Sequence, residues 1–162
     1  MATDESPAGG EDLDAVITAV LAGSRLLVSV AARSLAAVED KITLPQFRML
    51  VVLAGHGGTK LVTMAELLDV NSSTAMRMAD RLAGAGLIVR EVNPHNRRES
   101  IMRLTGEGRR IVDEVMARRR KQIGEIVSRM SAAQRQALIS AMNAFNEAGG
   151  EPAADLPHWP GF

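Results

Sequence analysis

Cysteine is absent from this 162-residue chain, so disulfides, thiolate metal sites, cysteine nucleophiles and thiol redox switches are all excluded. Aromatic residues are scarce: Phe47, Phe145, Trp159 and Phe162 are the whole complement, and there is no tyrosine. The core must therefore be built from Leu, Val, Ile, Ala and nine methionines, which suits packed helices with methionine filling irregular gaps. The N-terminus has acids where a secretory leader needs bases, so no signal peptide is expected. No unbroken apolar run approaches the roughly 20 residues of a membrane span. A cytoplasmic protein without a membrane partner is the expectation.

Net charge is missing as well, with 19 basic and 19 acidic side chains, but the balance conceals segregation. Residues 1–14 carry five acids and no base. Residues 71–110 carry Arg77, Arg81, Arg90, Arg97, Arg98, Arg103, Arg109 and Arg110 against Asp80, Glu91, Glu99 and Glu107, a surplus of +4. A basic middle fits a polyanionic partner; a solvated charged face fits the same numbers.

Catalytic signatures are lacking. The stretch "GHGGTK" at 55–60 has the wrong order and spacing for a phosphate-binding loop, and a turn after a helix explains it better. There is no serine elbow and no His-Glu-x-x-His, and His56, His95 and His158 are too scattered to form a metal site. No enzyme activity, cofactor or bound metal is expected.

What is present is mostly helical pattern. Residues 1–11 are small, polar and Gly-rich and are expected to be disordered. From Asp12, read as an N-cap, the apolar positions Leu13, Val16, Ile17, Val20, Leu27, Val30, Ala31 and Leu35 recur at helical spacing to about Val38. Three later helices open on capping boxes, in which a hydroxyl and a Glu or Gln satisfy free backbone N–H groups: Thr43/Gln46, Thr63/Glu66 and Ser131/Gln134. The second is very short and ends near Asp69, and another helix follows over Ser72–Ala83. Two β-prone runs, "LIVREV" and "ESIMRL", read as a hairpin, and from Thr105 a long charged helix runs to about Met130. The Ser131 helix ends near Ala148, before a Pro/Gly-rich tail over 149–162 in which Trp159 and Phe162 either stay free or pack on the end helices.

On the Ser72–Ala83 helix, Ala75, Met78, Ala79 and Leu82 share one face, and Ser73, Arg77, Asp80 and Arg81 lie opposite. Ala65, Leu68 and Val70 can pack against the first face, which makes a helix-turn-helix whose second helix suits the DNA major groove. Ser72, Ser73 and Thr74 offer hydroxyls and N–H groups to phosphate. Arg77 is the candidate for a bidentate contact to guanine, with Arg81 in support; an Arg77–Asp80 surface pair is the competing reading. The hairpin tip then explains its paired arginines. Asn93-Pro94 shapes a turn, His95 and Asn96 follow, and Arg97 and Arg98 supply charge for a narrow minor groove.

Across "TLPQFRMLVVL" and "VNSSTAMRMADRLAGAGLIVREVNPHNRRESIMRLTGEG" the chain resembles the MarR family of winged-helix transcriptional regulators, and with the flanking helices the likeness covers roughly residues 12–148. The resemblance implies a mainly α fold: a winged helix-turn-helix over 43–104, with N- and C-terminal helices (12–42 and 105–148) forming a dimerisation lobe. It implies a homodimer on double-stranded DNA, with a palindromic operator whose half-sites lie about 10 bp apart or a multiple of it. It further implies a repressor relieved by a small aromatic or anionic effector between the lobes, for which Arg25, Phe47, Arg48 and Met49 are the candidate lining. The missing cysteine argues against the peroxide-sensing branch. One departure is Asn96, where the family commonly has an Asp beside the wing arginines; Asp80 is a candidate substitute partner. A helical dimerisation or adaptor module is the alternative class, and it leaves the basic hairpin unexplained.

Overall fold

In a computed structural model the chain is described over residues 8–150 apart from Glu39 and Pro94, with the backbone alone at 8–11, 97 and 98. Helix α1 spans Ala8–Leu35 and α2 Leu44–His56; strand β1 is Thr59–Lys60. Helices α3 (Leu61–Leu68) and α4 (Ser72–Gly84) follow, then strands β2 (Ile88–Asn93) and β3 (Asn96–Leu104), and helices α5 (Gly106–Val127) and α6 (Ala132–Ala148). The strands form one antiparallel sheet in the order β1-β3-β2.

One core holds the middle of the chain together. Phe47, Met49, Leu50 and Leu53 of α2 meet Met64 and Leu68 of α3, Ala75, Met78, Ala79 and Leu82 of α4, Ile88 and Met102 of the sheet, and Ile111, Val112 and Val115 of α5. Each such aliphatic side chain, once fully buried, contributes about 2 kcal/mol. The face read from the Ser72–Ala83 pattern is thus the buried one, and α4 exposes Ser73, Arg77, Asp80 and Arg81. Caps fix the ends of these helices. The Thr43 N–H donates to Gln46 Oε1 (2.8 Å), and Ser131 N–H and Gln134 N–H complete a reciprocal pair at 2.9 and 3.2 Å.

The start of α5 is held by a tight junction. Thr105 is its N-cap: its Oγ1 accepts the Gly108 N–H (3.0 Å) and donates to the Gly86 carbonyl (2.7 Å). A Cβ on Gly108 would overlap the Leu87 carbonyl oxygen, so the "LTGEG" stretch lets the helix backbone lie directly on the turn before β2. The "GHGG" turn has a similar cause. Gly57 sits at φ +69, and a Cβ on Gly58 would come within 2.7 Å of Ile101 on β3.

Several expectations are corrected. Helix α1 begins at Ala8, so Asp12 is not its N-cap and residues 8–11 are helical; it ends at Leu35, and 36–38 form a turn. Thr63 caps nothing. β1, pairing Thr59 with Met102 and Lys60 with Ile101, delivers the chain straight into α3, whose N-cap is Lys60. Over Asp12–Leu35, 24 residues, the helix is also apolar enough to span a membrane by length and composition, with mean hydropathy 1.9 over an 18-residue window. Gly23, Ser24, Arg25 and Ser29 break up the apolar runs, but the surrounding Val, Leu, Ile and Ala keep the average high. Residues Trp159 and Phe162 lie outside the described residues.

Much of α1 and all of α6 stand away from this core. Leu13, Val16, Ile17, Val20 and Leu27 are exposed along α1, no residue of α6 is buried, and Leu138, Ile139, Met142 and Phe145 are exposed on it.

Candidate nucleic-acid interface

The helix-turn-helix turn is made by Asp69, which adopts a left-handed conformation (φ 53) and lets the Val70 N–H reach the Ala65 carbonyl. That turn presents α4 with its N-terminus free of the core. Asn71 is the N-cap: its Oδ1 accepts the Thr74 N–H at 2.8 Å and the Ser73 hydroxyl at 2.7 Å. Ser73 must therefore turn its hydrogen away from Asn71 before it can donate to a phosphate, whereas the exposed Ser72 has no such tie among the described residues. Thr74 is half-buried, and its Oγ1 accepts from Arg77 Nη2 at 3.2 Å, which steadies the guanidinium and leaves its other donors available. Thr74, Arg77, Met78 and Arg81 line one hollow on the exposed side of α4.

Ion pairing decides what the basic segment is for. Asp80 pairs with Arg90 (2.8 Å), Glu91 with Arg103 (3.0 Å), Glu99 with Lys60 (2.7 Å) and Glu107 with Arg110 (2.5 Å). All four acids of residues 71–110 are engaged, and none with Arg77 or Arg81. Asp80 pairs with Arg90 and not with Arg77, so the Arg77–Asp80 surface pair does not form. Arg90 instead ties α4 to β2. In the "RRRK" run at 118–121, Arg118 pairs along its own helix with Glu114 (2.8 Å).

The hairpin forms the wing. From Ile88 to Val92 the β2 residues pair in order with Leu104 to Ser100, and then Asn93 pairs with Asn96. One step on β2 thus spans four on β3, so residues 97–99 bulge from the ladder. This corrects the expected placement: Arg97 and Arg98 belong to a bulge of β3 beside the tip, not to the loop. Asn93 shapes the turn, its Oδ1 accepting the His95 N–H at 3.0 Å; Pro94 lies outside the described residues. His95 and Asn96 are exposed.

Sequence reading assigned no role to Lys60 or Glu99. Glu99 Oε2 accepts from Lys60 Nζ and, at 3.0 Å, from Asn93 Nδ2, and the Asn96 side chain adds a further hydrogen bond to the carboxylate. The Lys60 hydrogen bond, with Asn93 next, holds this carboxyl below the usual carboxylate range. A two-residue strand has no detectable periodicity, so nothing in the sequence pointed to Lys60.

The four candidate effector-lining residues divide between core and surface. Phe47 and Met49 fill the core, packed among the helices of the winged lobe, and Arg25 and Arg48 are exposed. Among the described residues no group of His, Asp and Glu is arranged to hold a metal.

Comparison with known proteins agrees with this geometry. The model described as "MarR family" matches residues 42–100. The transcriptional repressor MdtR of Bacillus subtilis is 37% identical over 82 residues, 51% of this chain and 53% of the repressor. Among solved structures, RV1404 from Mycobacterium tuberculosis is 48% identical, covering 88% of this chain and 97% of that one, with a TM-score of 0.79. A mutant of MepR from S. aureus bound to an oligodeoxyribonucleotide shares the fold at 19% identity, covering 82% of this chain and 96% of that one, with a TM-score of 0.63.

Proposed function

The chain belongs to the MarR family of transcriptional regulators, and from that premise we propose that it acts as a homodimeric, cytoplasmic repressor on a palindromic operator. The observation that carries DNA reading is the pairing pattern: every acid of the basic segment is bound to another base, and among the described residues no acid pairs with Arg77 or Arg81 on α4. Ser72, Ser73 and Thr74 hold phosphates at the start of α4 while Arg77 addresses a base edge. Arg97 and Arg98, with His95 and Asn96 at the tip, serve the minor groove. The name of MdtR, a repressor, supports the sign of regulation. Relief by a small aromatic or anionic molecule rests on the family resemblance alone. The apolar length of α1 belongs, in this reading, to a partner subunit and not to a lipid bilayer.

Selection of bound fragments from genomic DNA supplies the operator for the test. On it, Arg77→Ala is expected to cost about 1–3 kcal/mol of binding and to relax the preference at one base position. Arg97→Ala weakens all sequences alike and reduces the slope of log K against log[salt] by about 1. Fluorescence anisotropy titrations at three salt concentrations separate the two. Parent-like binding by both variants overturns the assignment.

A further inference from the structure

An anion on a DNA-facing wing is a liability, because it opposes the phosphates its neighbours attract. Glu99 directly follows the two arginines of the bulge, yet its carboxylate is held by several donors. Donors from three segments converge on its carboxylate: Lys60 Nζ from β1 (2.7 Å), Asn93 Nδ2 from the end of β2 (3.0 Å) and the side chain of Asn96 at the start of β3. Asn93 is itself buried, and its other amide atom accepts the His95 N–H that forms the tip. The turn and the bulge therefore close on one group.

We propose that Glu99 is a positioning residue for DNA binding: its carboxylate closes the bulge that carries Arg97 and Arg98 and, through Lys60 and Asn93, fastens that bulge to the sheet. The proposal rests on the reading that the wing contacts DNA. An exposed Lys–Glu pair alone contributes little. Three donors from separate segments do more, since each holds a stretch of chain that the broken ladder leaves unsupported. Lys60 also cancels the charge that would repel the duplex. Holding the arginine-bearing backbone in place before DNA arrives lowers the ordering cost of binding. Asn96, where the family commonly has Asp, fits this arrangement: an amide can donate to Glu99, whereas a second carboxylate would repel it.

The test uses the full chain and a duplex carrying the site it selects. Glu99→Ala is expected to weaken binding about tenfold, the scale of losing hydrogen bonds to a charged group, and to speed amide exchange at residues 95–99 in the free protein by a similar factor. Exchange of core amides in α2 and α4 stays unchanged. Lys60→Met has the same two effects, and the double variant is no worse than the weaker single one. Glu99→Gln, which keeps an acceptor for Asn93, recovers part of both. Tighter DNA binding by Glu99→Ala would show an ordinary repelling anion and overturn the proposal, as would unaltered exchange at the tip. An Arg97→Ala/Arg98→Ala variant run alongside separates the failures. If it binds like the parent, the wing reading falls and takes the positioning role with it; if it weakens while Glu99→Ala does not, the positioning role alone is wrong.

Discussion

Replacing Met142 and Phe145 together with glutamate is expected to yield a folded monomer whose operator affinity falls by about a thousandfold, the scale of losing a second linked binding site. Helix α6 has no buried residue, so the substitutions leave the core of α2–α5 intact. Leu138, Met142 and Phe145 recur at helical spacing on α6, and all three are exposed, as are Leu13, Val16, Ile17 and Val20 on α1. Monomeric soluble proteins rarely leave apolar stripes of that extent uncovered. A second copy of the chain covers both at once, and α1 with α6 then interlock across a two-fold axis. Sedimentation velocity reads the assembly and anisotropy reads the affinity. A dimer that survives both glutamates, or a monomer that keeps full affinity, contradicts this reading.

The second large effect lies in the core. Gly108→Ala is expected to destabilise the fold by about 3 kcal/mol, at the upper end for overpacking, because the new methyl group meets the Leu87 carbonyl rather than a side chain that can turn away. Backbone can yield there only if the Thr105 N–H leaves Leu87 O (3.0 Å) and the Thr105 hydroxyl leaves Gly86 O, which unseats α5 from the turn before the wing. Urea unfolding followed by circular dichroism gives the number through a shifted midpoint at unchanged slope. A midpoint equal to the parent's would mean that α5 docks more loosely than this junction implies. Gly84→Ala is the control, since a Cβ there meets nothing within 4 Å.

The features legible in the sequence were local ones. Apolar spacing marked the buried face of α4, and the hydroxyl–amide pairs at Thr43 and Ser131 marked two helix starts, because periodicity and capping act within one or two turns. Thr105 followed the same logic. Long-range pairing was not legible. β1 is too short to show alternation, and its ladder to β3 moved the start of α3 from the tempting Thr63 to Leu61. The register break opposite Val92 and Asn93 carried the arginines out of the loop and into β3. Asp80 was free to pair with several bases on paper; the approach of β2 to α4 gives it to Arg90. Burial of Phe47 and Met49 likewise depends on how α2 packs against the other elements, which spacing alone does not give. Apolar average and apolar run also diverge along α1, so its membrane-like composition does not show as an unbroken run.

Joint possession of one duplex by paired subunits is the idea beneath these expectations, and stoichiometry probes it most directly. Sedimentation equilibrium of a short selected duplex with excess protein at low ionic strength should give two chains per duplex, with a sequence that reads as an inverted repeat. A single chain per duplex, or no complex with any selected fragment, would contradict it.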